Sequence, residues 1–507
     1  MAGISRRSFL STGIAGGAAC FGLDALVAAG LPRVAADEAT VAPSAVRFRP
    51  EIEPLVRLLE ETPREKLIEE VGARIRKGTS YREVLAALFL AGIRNVEPRP
   101  NVGFKFHSVL VVHSAHTASL ASPDADRWLP IFWALDYFKS AQAQDDRERN
   151  WTMPPVDESR LPDATRARAA FVDAMEAWDE EKADVAAAAL ARTAGLAGTF
   201  APLWRFGMRD FRSIGHKAIY VAGAWRVLQA IGHEHAEPIV RSLAYALLMH
   251  GGENPAKSDQ AADRAWRKHL EIVKEIPESW RGGKADSGAT RELLETLREA
   301  SDLEAGASVV ELLRRGVGPQ SVWDAFFAMA NELVLRQPAI VPLHAVTTVN
   351  ALRFAWDTAA DDETRRLILL QSAAFLASFR DAAEGRGTLP AKKIDEIEPR
   401  ALETTEGDAL EAIFAEAGKD RDRAVAQALA WLDGGGDPRA LIAAARRLVF
   451  LKGRDAHDYK FSSAALEDYD HVGPEWRDRC LASSLALLRH AGERDNGLVT
   501  RTRAALG

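Results

Sequence analysis

The chemistry this chain can perform rests on its twelve histidines, because cysteine contributes little. There are two cysteines, Cys20 and Cys480. Cys20 lies in a segment expected to be removed, which leaves Cys480 alone and rules out both an intrachain disulfide and a thiolate metal cluster. Any metal must then be held by His, Asp, Glu or a modified side chain. Neutral imidazole suits iron, zinc, copper or nickel, and the lack of thiolates favours a metal of oxygen chemistry.

Two of the histidines sit in similar surroundings. His107 stands in FKFHSVLVVHSAHTASLASPD and His344 in VPLHAVTTVNALRFAWD, each with a short apolar lead and a following apolar, small and β-branched stripe. Their separation is 344 − 107 = 237 residues. His216 and His457 are 241 apart, and His250 and His490 are 240 apart, the last pair in the related YALLMHGGEN and LALLRHAGER. LAALFLA from Leu85 pairs with WDAFFAM from Trp323 at 238. A repeated offset of this kind predicts an internal duplication, with the two halves packed about a pseudo-twofold axis. His107, His216, His344 and His457 are then expected to converge between helices, where bundles build metal sites.

Lys460 follows His457 by three positions, so on a helix the two share a face. Burial beside a cation lowers a lysine's pKa. A neutral lysine can take up carbon dioxide and ligate as a carbamate. In the first half the lysine falls at Lys217, directly after His216, and is expected to point away. His113 and His116, at i and i+3, form a possible zinc pair, but Asn350 and Arg353 stand at the corresponding places in the second half. His113 is therefore read as acting beside the substrate, together with Tyr459; Tyr220 and Trp225 are further pocket candidates. His250 and His490, at helix ends before glycine, read as caps, and His233, His235, His269 and His471 as solvated loop residues.

The elements that position these groups read as helices throughout. Apolar residues recur at helical spacing from LVRLLEE near residue 55 onward, and no sustained alternation marks a strand. YREVLAALFLAG from Tyr81 reads as a buried helix, and 144–162 as a loop or lid. The expected class is all-α, a multi-helix bundle of two duplicated halves. Residues 37–250 form an N-terminal repeat, 251–289 a Gly- and Pro-rich connection and 290–507 a C-terminal repeat.

Residues 1–36 are set apart from the fold. Ser5-Arg6-Arg7-Ser8-Phe9-Leu10 is a twin-arginine sequence followed by a Gly/Ala-rich run and the small-residue segment Val34-Ala35-Ala36-Asp37. This predicts a Tat signal, recognition by the Tat export machinery and a periplasmic or extracytoplasmic location. The run is too Gly-rich for a convincing membrane span, so no integral membrane segment is expected after its removal. The Tat route carries folded proteins, which agrees with a cofactor loaded before export. With 47% apolar residues the chain can bury a large core, while a net charge of −7 and no basic stripe argue against nucleic acid as a partner.

HAVTTVNAL at His344 and HDYKF at His457 resemble the late motifs of the questin oxidase-like family. GHKAIYVAGAW at His216 and FHSVLVVH at His107 are similar to its earlier histidine helices. The resemblance spans much of the mature chain. It implies an all-helical fold and oxidative cleavage of polycyclic aromatic rings, with iron held by histidines and, in some members, a carboxylated lysine. Two departures stand out: Thr348 occupies a position where serine is typical, and the middle helix carries one histidine where two are usual.

The expected function is that of an exported oxidoreductase in which His107, His216, His344, His457 and carboxylated Lys460 hold Fe(II), acting with O2 on an aromatic or quinone-like small molecule. A zinc-dependent hydrolase built on His113 and His116, and a non-catalytic periplasmic helical protein used for binding or structure, are the alternatives.

Overall fold

The computed structural model describes residues 48–99, 102–402 and 409–507. The twin-arginine segment and Cys20 lie outside the described residues. The protein is all-α: among the described residues the sole β interaction is an isolated bridge between Lys284 and Val317. None of the described helices is long and apolar enough to cross a membrane.

Four helices form an inner ring: α1 (His107–Leu120), α2 (His216–Ile231), α3 (Ile340–Thr358) and α4 (Ala456–Asp468). α1 packs on α2, α2 on α3, α3 on α4 and α4 on α1, which closes the ring. α1, α2 and α3 are apolar or small on most sides, as in HSVLVVHSAHTASL, so they are stable only when surrounded. Burial overrides the modest helix propensity of the Val and Thr residues in α1 and α3. The surrounding shell includes Tyr81–Asn95 and Leu129–Glu148 against α1, and Pro319–Arg336 and Asp362–Glu384 against α3.

Local signals fix where each inner helix begins. At α4, Asp455 Oδ1 accepts from the backbone N–H of His457 (2.8 Å) and Asp458 (3.3 Å), and Asp458 Oδ2 accepts from the Asp455 N–H (3.2 Å) in a reciprocal cap. At α3, Pro342 falls in the first turn, where its missing N–H is not needed. α1 and α2 start differently, each behind a short 3₁₀ turn, Phe104–Phe106 and Arg212–Gly215. Phe104 (φ 50°), Ser213 (φ 56°) and Ile214 (φ 45°) are left-handed, a costly conformation for side chains of these types. Gly215 (φ 80°) completes the second turn, and a Cβ there would lie 2.0 Å from Thr348 Oγ1.

The expected connection 251–289 is more ordered than a linker. It contains the helix Arg264–Ile272, on which His269 is fully buried and pairs through Nδ1 with Gln371 Oε1 at 2.6 Å. The expectation that His269 is solvated is therefore wrong. Its amphipathic helix was hidden by the surrounding Gly, Pro and Lys residues. The C-terminal helix Gly497–Leu506 packs on Arg64–Arg76, where Arg501 pairs with Glu69, so the second half reaches back onto the first.

Candidate metal centre

His107 and His216 are the first residues of their helices, His457 is the second of α4 and His344 the fifth of α3. The four helices thus begin at one end of the ring, with the positive ends of their dipoles around the histidines. One ring nitrogen each from His107, His216 and His344 lies within 4.8 Å of the others, and all three residues are buried. His216 Nε2 is 3.0 Å from His107 Nε2 and 2.9 Å from His344 Nε2.

The other ring nitrogens are already committed. Nδ1 of His107 faces Phe104 O (2.9 Å), Nδ1 of His216 faces Ser213 O (2.6 Å) and Nδ1 of His344 faces Ile340 O (2.6 Å). A carbonyl oxygen can only accept, so each Nδ1 carries the ring's proton and each Nε2 is a bare lone pair. Five contacts therefore compete for the three protons of three neutral rings, and the carbonyls take them all. Adding protons is opposed: burial first, and the Lys460 ammonium next, hold all three imidazoles well below their ordinary pKa. Three converging lone pairs with no ring proton between them are what a metal ion satisfies, and carbonyls that fix the tautomer are the usual support of metal-bound histidine. The buried group His107, His216 and His344 can hold a metal.

His457 stands at the edge of this group. Its ring centroid is 4.6 Å from that of His107 and 5.2 Å from that of His344, while Nδ1 lies 3.4 Å from Asp455 Oδ1. Its Nε2 is buried without a partner. Lys460 is buried with Nζ 3.4 Å from His344 Nε2, and desolvation lowers its pKa to about 7. Lys217 turns away, as its position suggests, and donates to Asp210 Oδ2 (2.8 Å) and Met249 O (2.7 Å).

The structure does not bring the other two site candidates to this centre. His113 accepts from Arg226 Nη1 at 2.9 Å, and His116 Nδ1 pairs with the Tyr81 hydroxyl at 2.9 Å, so the two rings serve different partners. Tyr459 is buried and absent from the cavity lining, stacked on Trp133 at 4.4 Å, with its hydroxyl unpaired. Tyr220 donates to Ser242 Oγ (2.8 Å), and Trp225 packs on Phe200 and Trp204.

His113 belongs to a second polar layer to which every inner helix contributes, α4 with two residues. Arg226 Nη1 also donates to Asn350 Oδ1 (3.3 Å), and Nη2 donates to Glu467 Oε2 (2.9 Å). Asn350 Nδ2 donates to Glu467 Oε2 (2.9 Å) and Asp468 Oδ1 (2.8 Å). Arg226 and Glu467 are 241 positions apart, the same offset as His216 and His457, and Asn350 follows His113 by the 237 that separates His344 from His107.

A cavity of about 890 Å³ reaches the histidines and is lined in part by His107, His216, His344 and His457. Its volume suits a small organic molecule. The sequence reading missed several of its walls. Phe104, 74% exposed, and Tyr137 lack any motif, and Arg386 lies far away in the chain. His250, read as a cap, instead lies beyond its helix, against Trp178 at 5.5 Å, and lines the cavity. No protein-family model, curated protein or solved structure matches the chain.

Proposed function

We propose that this chain is an exported non-haem iron oxygenase, akin to the questin oxidase-like proteins, that acts with O2 on an aromatic or quinone-like small molecule. The observation that carries this reading is the convergence of three unprotonated Nε2 atoms at the floor of a cavity large enough for such a substrate. A set of imidazoles without thiolate suits iron, and iron when bound supplies the redox chemistry that side chains lack.

In this reading His107, His216 and His344 hold the ion, and His457 is the next imidazole available to it. Lys460 is largely neutral at slightly alkaline pH, because burial outweighs the opposing pull of the Asp455 carboxylate. Its amine attacks carbon dioxide, forms an N–C bond and releases a proton, so that the carbamate adds an oxygen anion to the imidazoles. The apolar cavity orients the substrate and excludes water. Tat export places the loaded protein in the periplasm. The zinc hydrolase alternative finds less support, because His113 and His116 are engaged with Arg226 and Tyr81.

Oxygen uptake by the iron-loaded protein, measured against a panel of hydroxylated anthraquinones and naphthoquinones, tests the activity. Substrate-dependent uptake that disappears in His216→Ala is expected. Uptake that is absent with the iron-loaded protein across the panel, or unchanged in that variant, would refute it.

A further inference from the structure

The cavity's lining carries charge of one sign. Lys105, Arg212 and Arg386 contribute to it, and no Asp or Glu does. Two of these cations are already neutralised. Lys105 Nζ lies 2.6 Å from Asp145 and 2.9 Å from Glu148, while Arg212 makes a two-point contact with Asp263 at 2.9 and 2.8 Å. Arg386, in the turn after the helix Asp362–Glu384, is exposed, and its guanidinium makes no hydrogen bond or ion pair among the described residues. It is the uncompensated charge of the cavity wall.

Besides His457 Nε2 at the metal centre, two polar atoms of the lining are unspent. Ser213 Oγ and His250 Nδ1 are buried without hydrogen-bond partners. Both can donate, and a buried donor left unpaired is destabilising. Much of the remaining wall is apolar, including Phe104, Ile340 and Met249. The wall therefore offers a hydrophobic frame, spare donors and one free cation. The complementary molecule is an apolar ring system bearing an anionic oxygen.

We infer that the substrate of this cavity is an aromatic anion, a ring system bearing a carboxylate or phenolate oxygen, whose charge is read by Arg386. A guanidinium recognises such oxygens through paired N–H donors. The inference rests on the oxygenase reading for what happens to the ligand, but not for its binding.

The test compares 2-naphthoate with 2-naphthamide, which share a ring frame and differ in charge. Binding to the purified mature protein is followed by calorimetry, with iron content measured on the same samples. Wild type is expected to prefer the naphthoate by on the order of tenfold. The preference should weaken with salt, because the guanidinium is exposed. Arg386→Gln should abolish it while iron content and naphthamide affinity stay at wild-type level, and Arg386→Lys should restore part of it. Equal affinities in wild type, or a preference that survives Arg386→Gln, would overturn the inference. Repeating the titration after chelation separates the two claims, since a carboxylate bound by the metal would lose its preference there and one bound by Arg386 would keep it. A preference found in protein that never contains iron would uphold Arg386 and sink the oxygenase reading.

Discussion

His216 Nε2 lies 3.0 Å from His107 Nε2 while the Nδ1 atom of each ring faces a carbonyl three residues before it, that of Ser213 or Phe104. Both carbonyls belong to left-handed residues. The backbone strain of these turns, of order 1–3 kcal/mol per residue, therefore aims two bare lone pairs at one point. Without a cation between them, the lone pairs would repel in a buried setting.

The turn before α2 has no room for a larger residue. Gly215→Ala adds a methyl at φ 80°, 2.0 Å from Thr348 Oγ1. The expected cost is roughly 2–4 kcal/mol, with His216 displaced and metal content reduced. Gly215→Ala combined with Thr348→Ala should recover part of both losses. Urea unfolding and metal analysis of the two variants check this, and an undiminished metal content in Gly215→Ala would show that the turn does not position His216.

Lys460 gives a pH dependence of known sign. Its pKa falls from 10.5 in the unfolded chain to about 7 in the fold. Between these values the unfolded state binds the extra proton, so the contribution to stability grows as pH rises from 7 toward 10.5 and is lost as pH falls through 7. Relative to Lys460→Met, the chelated wild type should gain up to about 1.4 kcal/mol per pH unit across that window. Parallel stability curves for the two proteins would count against a neutral Lys460. The same neutrality predicts uptake of ¹³C-labelled bicarbonate as a carbamate in wild type and none in Lys460→Met.

The second polar layer predicts coupling between α2 and α4. Arg226 is mostly buried and pairs with Glu467, which is partly exposed, at 2.9 Å. Arg226→Met leaves Asn350, Glu467 and His113 without their shared donor, and Glu467→Leu leaves the guanidinium without its carboxylate partner. The double variant should be less damaging than the sum of the singles by about 1 kcal/mol. Strict additivity in a double-mutant cycle would mean that the layer contributes no specific interaction.

The helical class and the convergence of the histidines were legible because periodicity and a recurring offset survive in linear sequence. Lys217 turning away and Lys460 turning in also follow from position within a helical turn. Other features leave no such trace. Phe104, Ser213 and Ile214 adopt left-handed angles against their own preferences, so their residue types do not announce the turns that set the imidazole tautomers. Arg386 and His250 reach the cavity through tertiary folding, from a turn and from a segment beyond a helix end. His113 carried the sequence signature of a site residue, yet Arg226, about a hundred positions away, determines what it does. The second polar layer shares the sequence offset of the histidines, 241 positions for Arg226 and Glu467 and 237 for His113 and Asn350.

Metal analysis of the purified mature protein is the most direct test of the account. About one iron per chain is predicted, because the three imidazoles present one convergent set of nitrogens. Iron should be lost in His344→Ala and kept in His113→Ala. A protein without metal, or one whose metal survives His344→Ala, would contradict the proposed centre.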